Sequence, residues 1–337
     1  MATVPASSSA PRVRQATNLA RAASLLQRQG VLIALALLIL FGALRYEGFL
    51  SPYNISTVLR YNSMFGLIAL GMTFVIMTGG IDLSVGSVAA LASVVAALLS
   101  PYGMLVGVLV PVLVGMLVGF TNGWIITRLN ILPFIVTLAM LLAARGLALI
   151  FANNTSVGVS YETDFTYFGK GDFFGVPIPA LVLFAAFILG SVMLSFTRFG
   201  RHVLAVGGNE EASRLMGLPV ERTKIAVYTL SGALAGLAGV ILAAQFGAGQ
   251  PTEGLGWELS SIASVVVGGT LLTGGMGSVG ATLAGVLLLG LIFNILNFEN
   301  GRGSISLSAY WQSVIRGSFL LVVVLLQNRL TRRDQRS

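Results

Sequence analysis

Long apolar runs separated by short polar or glycine-rich stretches dominate the chain between residues 31 and 327. Many of them approach the roughly 20 residues that an α-helix needs to cross a bilayer. The runs that we interpret as crossings are 31–44, 64–77, 85–99, 104–127, 134–151, 178–196, 226–245, 259–272, 278–298 and 311–327. Because a backbone in lipid must satisfy its own hydrogen bonds, the pattern predicts an all-α, polytopic membrane protein with about ten transmembrane helices.

Two parts of this pattern are less regular than the rest. We interpret residues 51–62 as a short amphipathic stretch that lies at the membrane interface before the second crossing. Two of the shorter runs could be re-entrant segments rather than full crossings.

Composition and charge agree with this interpretation. The chain is 55% hydrophobic and only 9% charged, against roughly 25% charged residues in an ordinary soluble domain. Its net charge of +8 would suggest a nucleic-acid partner in a soluble domain, but here the basic residues flank the apolar runs. They are Arg12, Arg14, Arg21 and Arg28 before the first run, and Arg329, Arg332, Arg333 and Arg336 after the last. Basic flanks stay inside, so we expect two cytoplasmic termini and no nucleic-acid partner.

The topology divides the chain into a basic cytoplasmic tail (1–30), a transmembrane domain (31–327) and a second cytoplasmic tail (328–337). Within the domain, the loop 152–177 carries more acidic than basic residues and is predicted to be external, whereas the basic loop 197–225 is predicted to be cytoplasmic. The first tail is long for the charged region of a secretory leader, so we expect it to remain uncleaved.

Two glycine-rich breaks fall at the inner ends of inward crossings, and their sequences echo one another. The candidate gating residues in them are Thr78, Gly79, Gly80, Asp82 and Ser84 in the first break, and Thr273, Gly274, Gly275 and Ser278 in the second. The echo would fit two related halves, although glycine-rich membrane proteins also produce such matches by chance.

Asp82 is the most informative ionisable residue, since a carboxylate inside a bilayer must face water or a partner. The simpler interpretation is that it caps the following helix at the cytoplasmic interface; the alternative is a role in the pathway or its gating. Asn122 and Gln245 are uncharged polar residues that either line a path for a polyhydroxylated solute or hydrogen-bond between helices. Glycines spaced for close helix packing are Gly115, Gly119 and Gly123, and Gly232 and Gly236.

Catalytic and cofactor sites are not predicted. The GxGxxG pattern at 275–280 lacks the strand–helix–strand context of a dinucleotide site, because 281–298 is one apolar run. The chain has no P-loop pattern and no cysteine, its single histidine is His202, and no crossing carries paired acids. We therefore expect no enzyme activity, no metal and no cofactor bound by this chain, and a membrane enzyme is disfavoured.

A short capped helix is predicted within the cytoplasmic loop at 208–219, where Gly217 and Pro219 end it. It is partly apolar although it lies outside the membrane. Such a helix either rests on the membrane surface or docks into the groove of a partner protein, and its sequence favours neither.

Three signatures resemble one known family. They are Gly71-Met72-Thr73 leading into Thr78-Gly79-Gly80-Ile81-Asp82-Leu83-Ser84-Val85-Gly86-Ser87, then Val206-Gly207-Gly208-Asn209 leading into Glu211-Ala212, and Val267-Gly268-Gly269-Thr270 through Gly274-Gly275-Met276-Gly277-Ser278. The chain resembles the permeases of ribose-, xylose- and galactofuranose-type ABC importers, most closely the galactofuranose type. These permeases share a membrane domain with branched-chain amino-acid permeases.

The resemblance implies a sugar-importing subunit of a bacterial inner membrane. Its implied partners are a second copy or a paralogous permease, cytoplasmic ATPases that bind the ATP and Mg²⁺, and a periplasmic sugar-binding protein. The helix after residue 208 would be the coupling helix that contacts the ATPase, with the candidate residues Asn209, Glu210, Glu211, Ala212, Arg214 and Gly217. Ser213 stands where this family's loop would have a second alanine.

Two other transporters remain as alternatives. One is a secondary, ion-coupled transporter, because broken helices also build midplane ion sites; Asp82 without a second buried carboxylate counts against it. The other is an amino-acid permease of the branched-chain type.

Overall fold

The computed structural model describes residues 18–301 and the helical positions 311, 314, 315, 317, 318 and 321. Residues 1–17 of the first predicted tail, most of the predicted crossing 311–327 and the tail 328–337 lie outside the described residues. The helices are α1 Asn18–Arg45, α2 Pro52–Met77, α3 Val85–Leu99, α4 Met104–Arg128, α5 Pro133–Phe151, α6 Tyr167–Lys170, α7 Ile178–Phe196, α8 Arg198–Gly208, α9 Glu210–Leu215, α10 Val220–Phe246, α11 Trp257–Val267 and α12 Val279–Gly301. The strands are β1 Val157–Gly158, β2 Asp172–Phe173, β3 Val176–Pro177 and β4 Ala248–Gly249.

Seven of the described helices are long and apolar enough to cross a membrane: α2, α3 with the turn after it, α4, α5, α7, α10 and α12. Shorter apolar helices cover Gly30–Arg45 and Trp257–Val267. The first nine predicted crossings all coincide with helices, which supports the polytopic, mainly helical prediction, while the total of ten remains a prediction.

The predicted interfacial stretch 51–62 is wrong, because α2 runs without interruption from Pro52 to Met77. Ser51 caps the helix by accepting a hydrogen bond from the backbone N–H of Asn54 at 3.2 Å, and proline suits the first helical turn. The polar side chain of Asn62 donates to the carbonyl of Val58 one turn earlier. These polar residues therefore satisfy themselves on the helix instead of ending it.

The helices divide into a buried centre and an outer layer. In the apolar stretches of α2 and α3, 78% and 72% of the residues are buried, against 22% in both α4 and α5. The centre consists of α2, α3 and α10, and the outer helices turn apolar side chains outward, as lipid or a second subunit requires.

Close packing of α4 against α10 confirms the prediction from the glycine spacing. A side chain at Gly115 would meet the carbonyl oxygen of Gly232, and one at Gly119 would meet that of Tyr228. At these positions the α4 and α10 backbones therefore lie in direct contact, because glycine has no side chain to hold them apart. Small residues permit this packing in membranes.

The connections gather at two opposite ends of the bundle. At one end β1 pairs antiparallel with β4, so that Val157 lies opposite Gly249; we call this the β1–β4 end. At the other, the break 78–84 lies close to the turn 129–132, to α8 and to α9; we call this the α9 end.

Candidate functional site

Asp82 is the centre of a buried polar network, with only 1% of its surface exposed. One carboxylate oxygen accepts hydrogen bonds from the backbone N–H of Ser84 at 3.1 Å and from its hydroxyl at 2.6 Å. The other accepts from the hydroxyl of Ser231 on α10 at 2.9 Å. The side-chain amide of Asn122 on α4 donates to the Ser84 hydroxyl at 3.0 Å. The first break is thus hydrogen-bonded to both α4 and α10.

The network lies deeper than the interface predicted for Asp82. Ser231 follows Lys224 by seven residues along α10, and Asn122 precedes Arg128 by six along α4, which places the network about 10 Å from those basic residues at 1.5 Å per residue. The expected bond to the start of α3 is present, since Asp82 binds the N–H of Ser84. The same carboxylate also bonds to Ser231 of α10, and Asn122 of α4 joins the network through Ser84, which a simple cap would not do.

The two predicted breaks meet. The backbone N–H of Gly275 donates to the carbonyl of Met77 at 2.9 Å, and a side chain at Gly274 would lie only 3.0 Å from the Cα of Gly79. Gly79, Gly274 and Gly275 have φ values of 76°, 86° and 75°, a region that favours glycine. Segments almost 200 residues apart in sequence therefore form one backbone contact.

The remaining polar residues of the breaks serve local structure. Thr78 donates its hydroxyl hydrogen to the carbonyl of Val75 at 2.8 Å, and the carbonyl of Thr273 faces Gly79. The hydroxyl of Ser278 accepts from the N–H of Ala281 at 3.3 Å and so caps α12.

The last turn of α8 rests directly on both breaks. A Cβ at Gly207 would collide with the carbonyl oxygen of Met77 and would lie 2.5 Å from the amide nitrogen of Gly275. At the next residue, Gly208, a Cβ would meet nothing within 4 Å. Gly207 is therefore the point where the segment leading into α9 touches the breaks.

The short helix α9 begins and ends as predicted from its sequence. The side chain of Asn209 accepts from the backbone N–H of Ala212 at 2.8 Å, and Gly217 ends the turn with a φ of 76°. Glu210 forms ion pairs with Lys224 of α10 at 2.5 Å and with Arg214 at 3.4 Å. These bonds hold one side of α9 against α10.

The other side of α9 is exposed. Leu215 and Met216 are 84% and 69% exposed, and Glu211 is also exposed. Large apolar side chains exposed next to a carboxylate, on a helix that is pinned from behind, are typical of a surface that binds a partner.

A cleft of about 540 Å³ opens at the α9 end between these elements. Its walls include Gly79 and Gly80 from the first break, Asn130 from the turn after α4, and Asn209, Glu210 and Lys224. The break, the end of α8 and the start of α9 therefore share one polar opening.

The two predicted pathway residues lie far apart. Asn122 is fully buried in the network around Asp82. Gln245 lies near the β1–β4 end, where its backbone nitrogen packs against Gly169. The two residues are not in contact with each other. The interhelical hydrogen bond considered for Asn122 is present, to the hydroxyl of Ser84.

The sequence did not predict which groups Arg145 of α5 contacts. Arg145 of α5 donates two hydrogen bonds of 2.5 Å, to the carbonyl oxygens of Pro251 and Glu253. The available signal was the cluster of Pro251, Gly254 and Gly256 before a short apolar run, which favours an irregular first half of the crossing that α11 completes.

Among the described residues, no group of three or more histidine, cysteine, aspartate or glutamate side chains is placed to hold a metal ion.

Comparison with known proteins gives consistent matches. Residues 54–324 match the family described as branched-chain amino acid transport system / permease component. The chain is 42% identical over 307 residues to the ribose import permease protein RbsC of Bacillus subtilis (strain 168), covering 90% of this chain and 94% of that protein. It is 40% identical over 298 residues to the L-arabinose transport system permease protein AraH of Escherichia coli (strain K12), covering 88% of this chain and 89% of that protein. No solved structure matches the chain.

The substitution Ser231→Ala tests the buried network. It removes one donor from the Asp82 carboxylate, so we expect the free energy of unfolding to fall by about 1–2 kcal/mol. Ser264→Ala is the control, because Ser264 is also buried but its hydroxyl bonds only to Ser260 on its own helix. Unfolding in mixed micelles measures both, and equal losses would contradict the network's role.

Proposed function

The chain belongs to the family of branched-chain amino acid transport system permease components, and from that membership we propose that it is the transmembrane permease subunit of an ATP-driven, binding-protein-dependent importer of a pentose or hexose. The sugar class is supported by the ribose and arabinose permeases that it resembles over about nine-tenths of its length. ATP and Mg²⁺ are bound and used by a separate ATPase subunit, so this chain is not itself an enzyme.

The proposed topology has ten crossings in a bacterial inner membrane, with the α9 end and both termini in the cytoplasm. Basic residues concentrated at the α9 end support this orientation, since positive loops remain inside. They are Arg128, Arg198, Arg201, Arg214, Arg222 and Lys224.

The observation that carries the proposal is the contact between the α8–α9 segment and both helix breaks. An exposed face of α9, with Leu215, Met216 and Glu211, suits a groove in an ATPase subunit, because an amphipathic helix binds a groove through its apolar side. Behind that face, Gly207 touches Met77 and Gly275. A displacement of α9 by the ATPase therefore has a direct route to the breaks.

Transport follows from this route as a shift between two packed states. ATP binding closes the ATPase pair, and α8 and α9 move with it. The contact at Gly207 then displaces both breaks, the first of which lines the cleft. Such a shift needs a ligand that binds the two states differently, and ATP on the partner is that ligand. A periplasmic sugar-binding protein delivers the sugar at the β1–β4 end.

A second permease, either a copy or a paralogue, completes the transporter. The outward faces of α4, α5 and α7 support this, since most of their residues are unburied in the single chain. These apolar faces contact either lipid or the second subunit.

Import of a branched-chain amino acid is the second candidate, favoured by the description of the family. An ion-coupled carrier is supported less well, because the Asp82 carboxylate already accepts three hydrogen bonds from Ser84 and Ser231. These bonds occupy both oxygens of the carboxylate with donors from the protein.

Uptake by the reconstituted complex tests the function. The permease, its ATPase and its binding protein in proteoliposomes should take up a labelled pentose or hexose, and a catalytically inactive ATPase should abolish uptake. Leucine serves as the competing substrate. Uptake of leucine alone would favour the second candidate, and uptake that persists with the inactive ATPase but stops when the proton gradient is collapsed would overturn the proposal.

Charge reversal at Glu211 tests the ATPase contact. Glu211→Lys should reduce ATPase co-purification and uptake roughly tenfold, because it reverses a charge on the exposed face of α9, without affecting membrane insertion. Glu162→Lys, an exposed acid in the loop at the opposite end, is the control. A bulky substitution of Gly217, just after α9, should act in the same way. Normal assembly with the ATPase in both variants would show that the ATPase binds elsewhere on the chain.

Two neighbouring glycines test how movement is transmitted. Gly207→Ala forces a methyl group against the Met77 carbonyl. It should lower uptake roughly tenfold while ATP hydrolysis continues, because the overpacked contact no longer transmits the movement of α9 to the breaks. Gly208→Ala adds the same methyl group with no neighbour within 4 Å and should leave uptake unchanged. Similar uptake in the two variants would show that the contact is not used.

A further inference from the structure

The segment between β4 and α11 runs back into the bundle along α3. At its start, the N–H of Gln250 donates to the hydroxyl of Ser93 at 3.1 Å. Four residues later, Gly254 packs against the backbone of Gly86. The contacts move back along α3 by seven residues, or about 10 Å toward the α9 end. We call residues 250–256 the re-entrant segment.

Helix α11 continues from this depth and not from the surface. It has 11 residues, or about 16 Å at 1.5 Å per residue, which is about half of the roughly 30 Å hydrocarbon core. Its first residue, Trp257, packs against Phe65 of α2, with ring centroids 4.7 Å apart and ring planes tilted by 46°. Irregular backbone at such a depth occurs where it is buried in protein or lines a water-filled cavity.

Arg145 holds the re-entrant segment in place from α5. It lies twelve residues, or about 18 Å, from the start of α5 at the α9 end. Its guanidinium donates to the carbonyls of Pro251 and Glu253 and also interacts electrostatically with the carboxylates of Glu253 and Glu258. Charges of both signs, Glu253 in the segment and Arg145 on α5, therefore lie together inside the bundle.

One side of the segment is open. Pro251 and Gly254 are buried, whereas Thr252 and Glu253 are exposed and Leu255 is 72% exposed. An exposed carboxylate facing hydrocarbon is strongly unfavourable, and ionisable residues at such depths face a water-filled cavity. The charged, open side of residues 252–253 is therefore better suited to a water-filled cavity than to hydrocarbon.

We infer that Thr252 and Glu253 line the aqueous path of the permease and that the Glu253 carboxylate accepts hydrogen bonds from the hydroxyl groups of a passing neutral sugar. The inference rests on the proposed function and adds a contact site to it. A carboxylate only accepts hydrogen bonds, which matches the many O–H donors of a polyol.

The absence of cysteine from the chain permits a direct test of water exposure. Thr252→Cys and Glu253→Cys, each in the permease–ATPase complex in proteoliposomes, should react with a membrane-impermeant thiosulfonate at least about tenfold faster than Leu142→Cys, because thiolates form in water and not in hydrocarbon. Leu142 is 67% exposed and lies three residues from Arg145 on the same helix. Equal, slow reaction at all three positions would overturn the inference.

Uptake provides the second test. Glu253→Gln keeps the shape of the side chain but removes its charge and half of its acceptor capacity, and should lower sugar uptake roughly tenfold with normal assembly with the ATPase. Glu162→Gln in the exposed loop should change nothing. A wild-type complex that takes up no sugar contradicts the proposed function itself, whereas an active wild type matched by an equally active Glu253→Gln contradicts only the role of Glu253.

Discussion

Direct contact between backbones, permitted by glycine, is the constraint on which the α9 end depends. Gly207 lies against the carbonyl of Met77 and the amide of Gly275, and those two groups are themselves hydrogen-bonded at 2.9 Å. No flexible side chain separates the three segments, so movement of one cannot be absorbed before it reaches the others. Close-packed interiors respond to such displacement by switching between discrete arrangements and not by deforming gradually.

The buried carboxylate of Asp82 adds a second, polar constraint just above that contact. A buried carboxyl group in this position is stable only while its hydrogen-bond partners remain in place, so the start of α3 is held to Ser231 and, through Ser84, to Asn122. An arrangement that breaks one of these bonds is costly unless new donors replace it. The network therefore favours movement of α3, α4 and α10 as a unit.

Helix α3 connects the first break with the re-entrant segment. The start of α3 is bound to the break through Asp82. Gly86, four residues after Asp82, packs on Gly254 of the re-entrant segment. A shift of the break caused by α9 is thus passed within one helical turn to the segment that carries Glu253. This short link gives a physical route from the proposed ATPase contact to the proposed sugar path, with Arg145 holding the far side of the segment.

Properties that depend on neighbours in sequence were predictable, and those that depend on distant contacts were not. The apolar runs located the long described helices but not α6 or α8, and the glycine spacing of Gly115 predicted its packing face, because helix formation and capping are local. The pattern failed at 51–62, where polar side chains bond back to their own helix. The meeting of the two breaks, the depth of Asp82 and the inward course of residues 250–256 were decided only in the folded chain. Each depends on which backbones approach one another across long separations, and apolar periodicity, which is nearly the same for every helix here, carries no information about that.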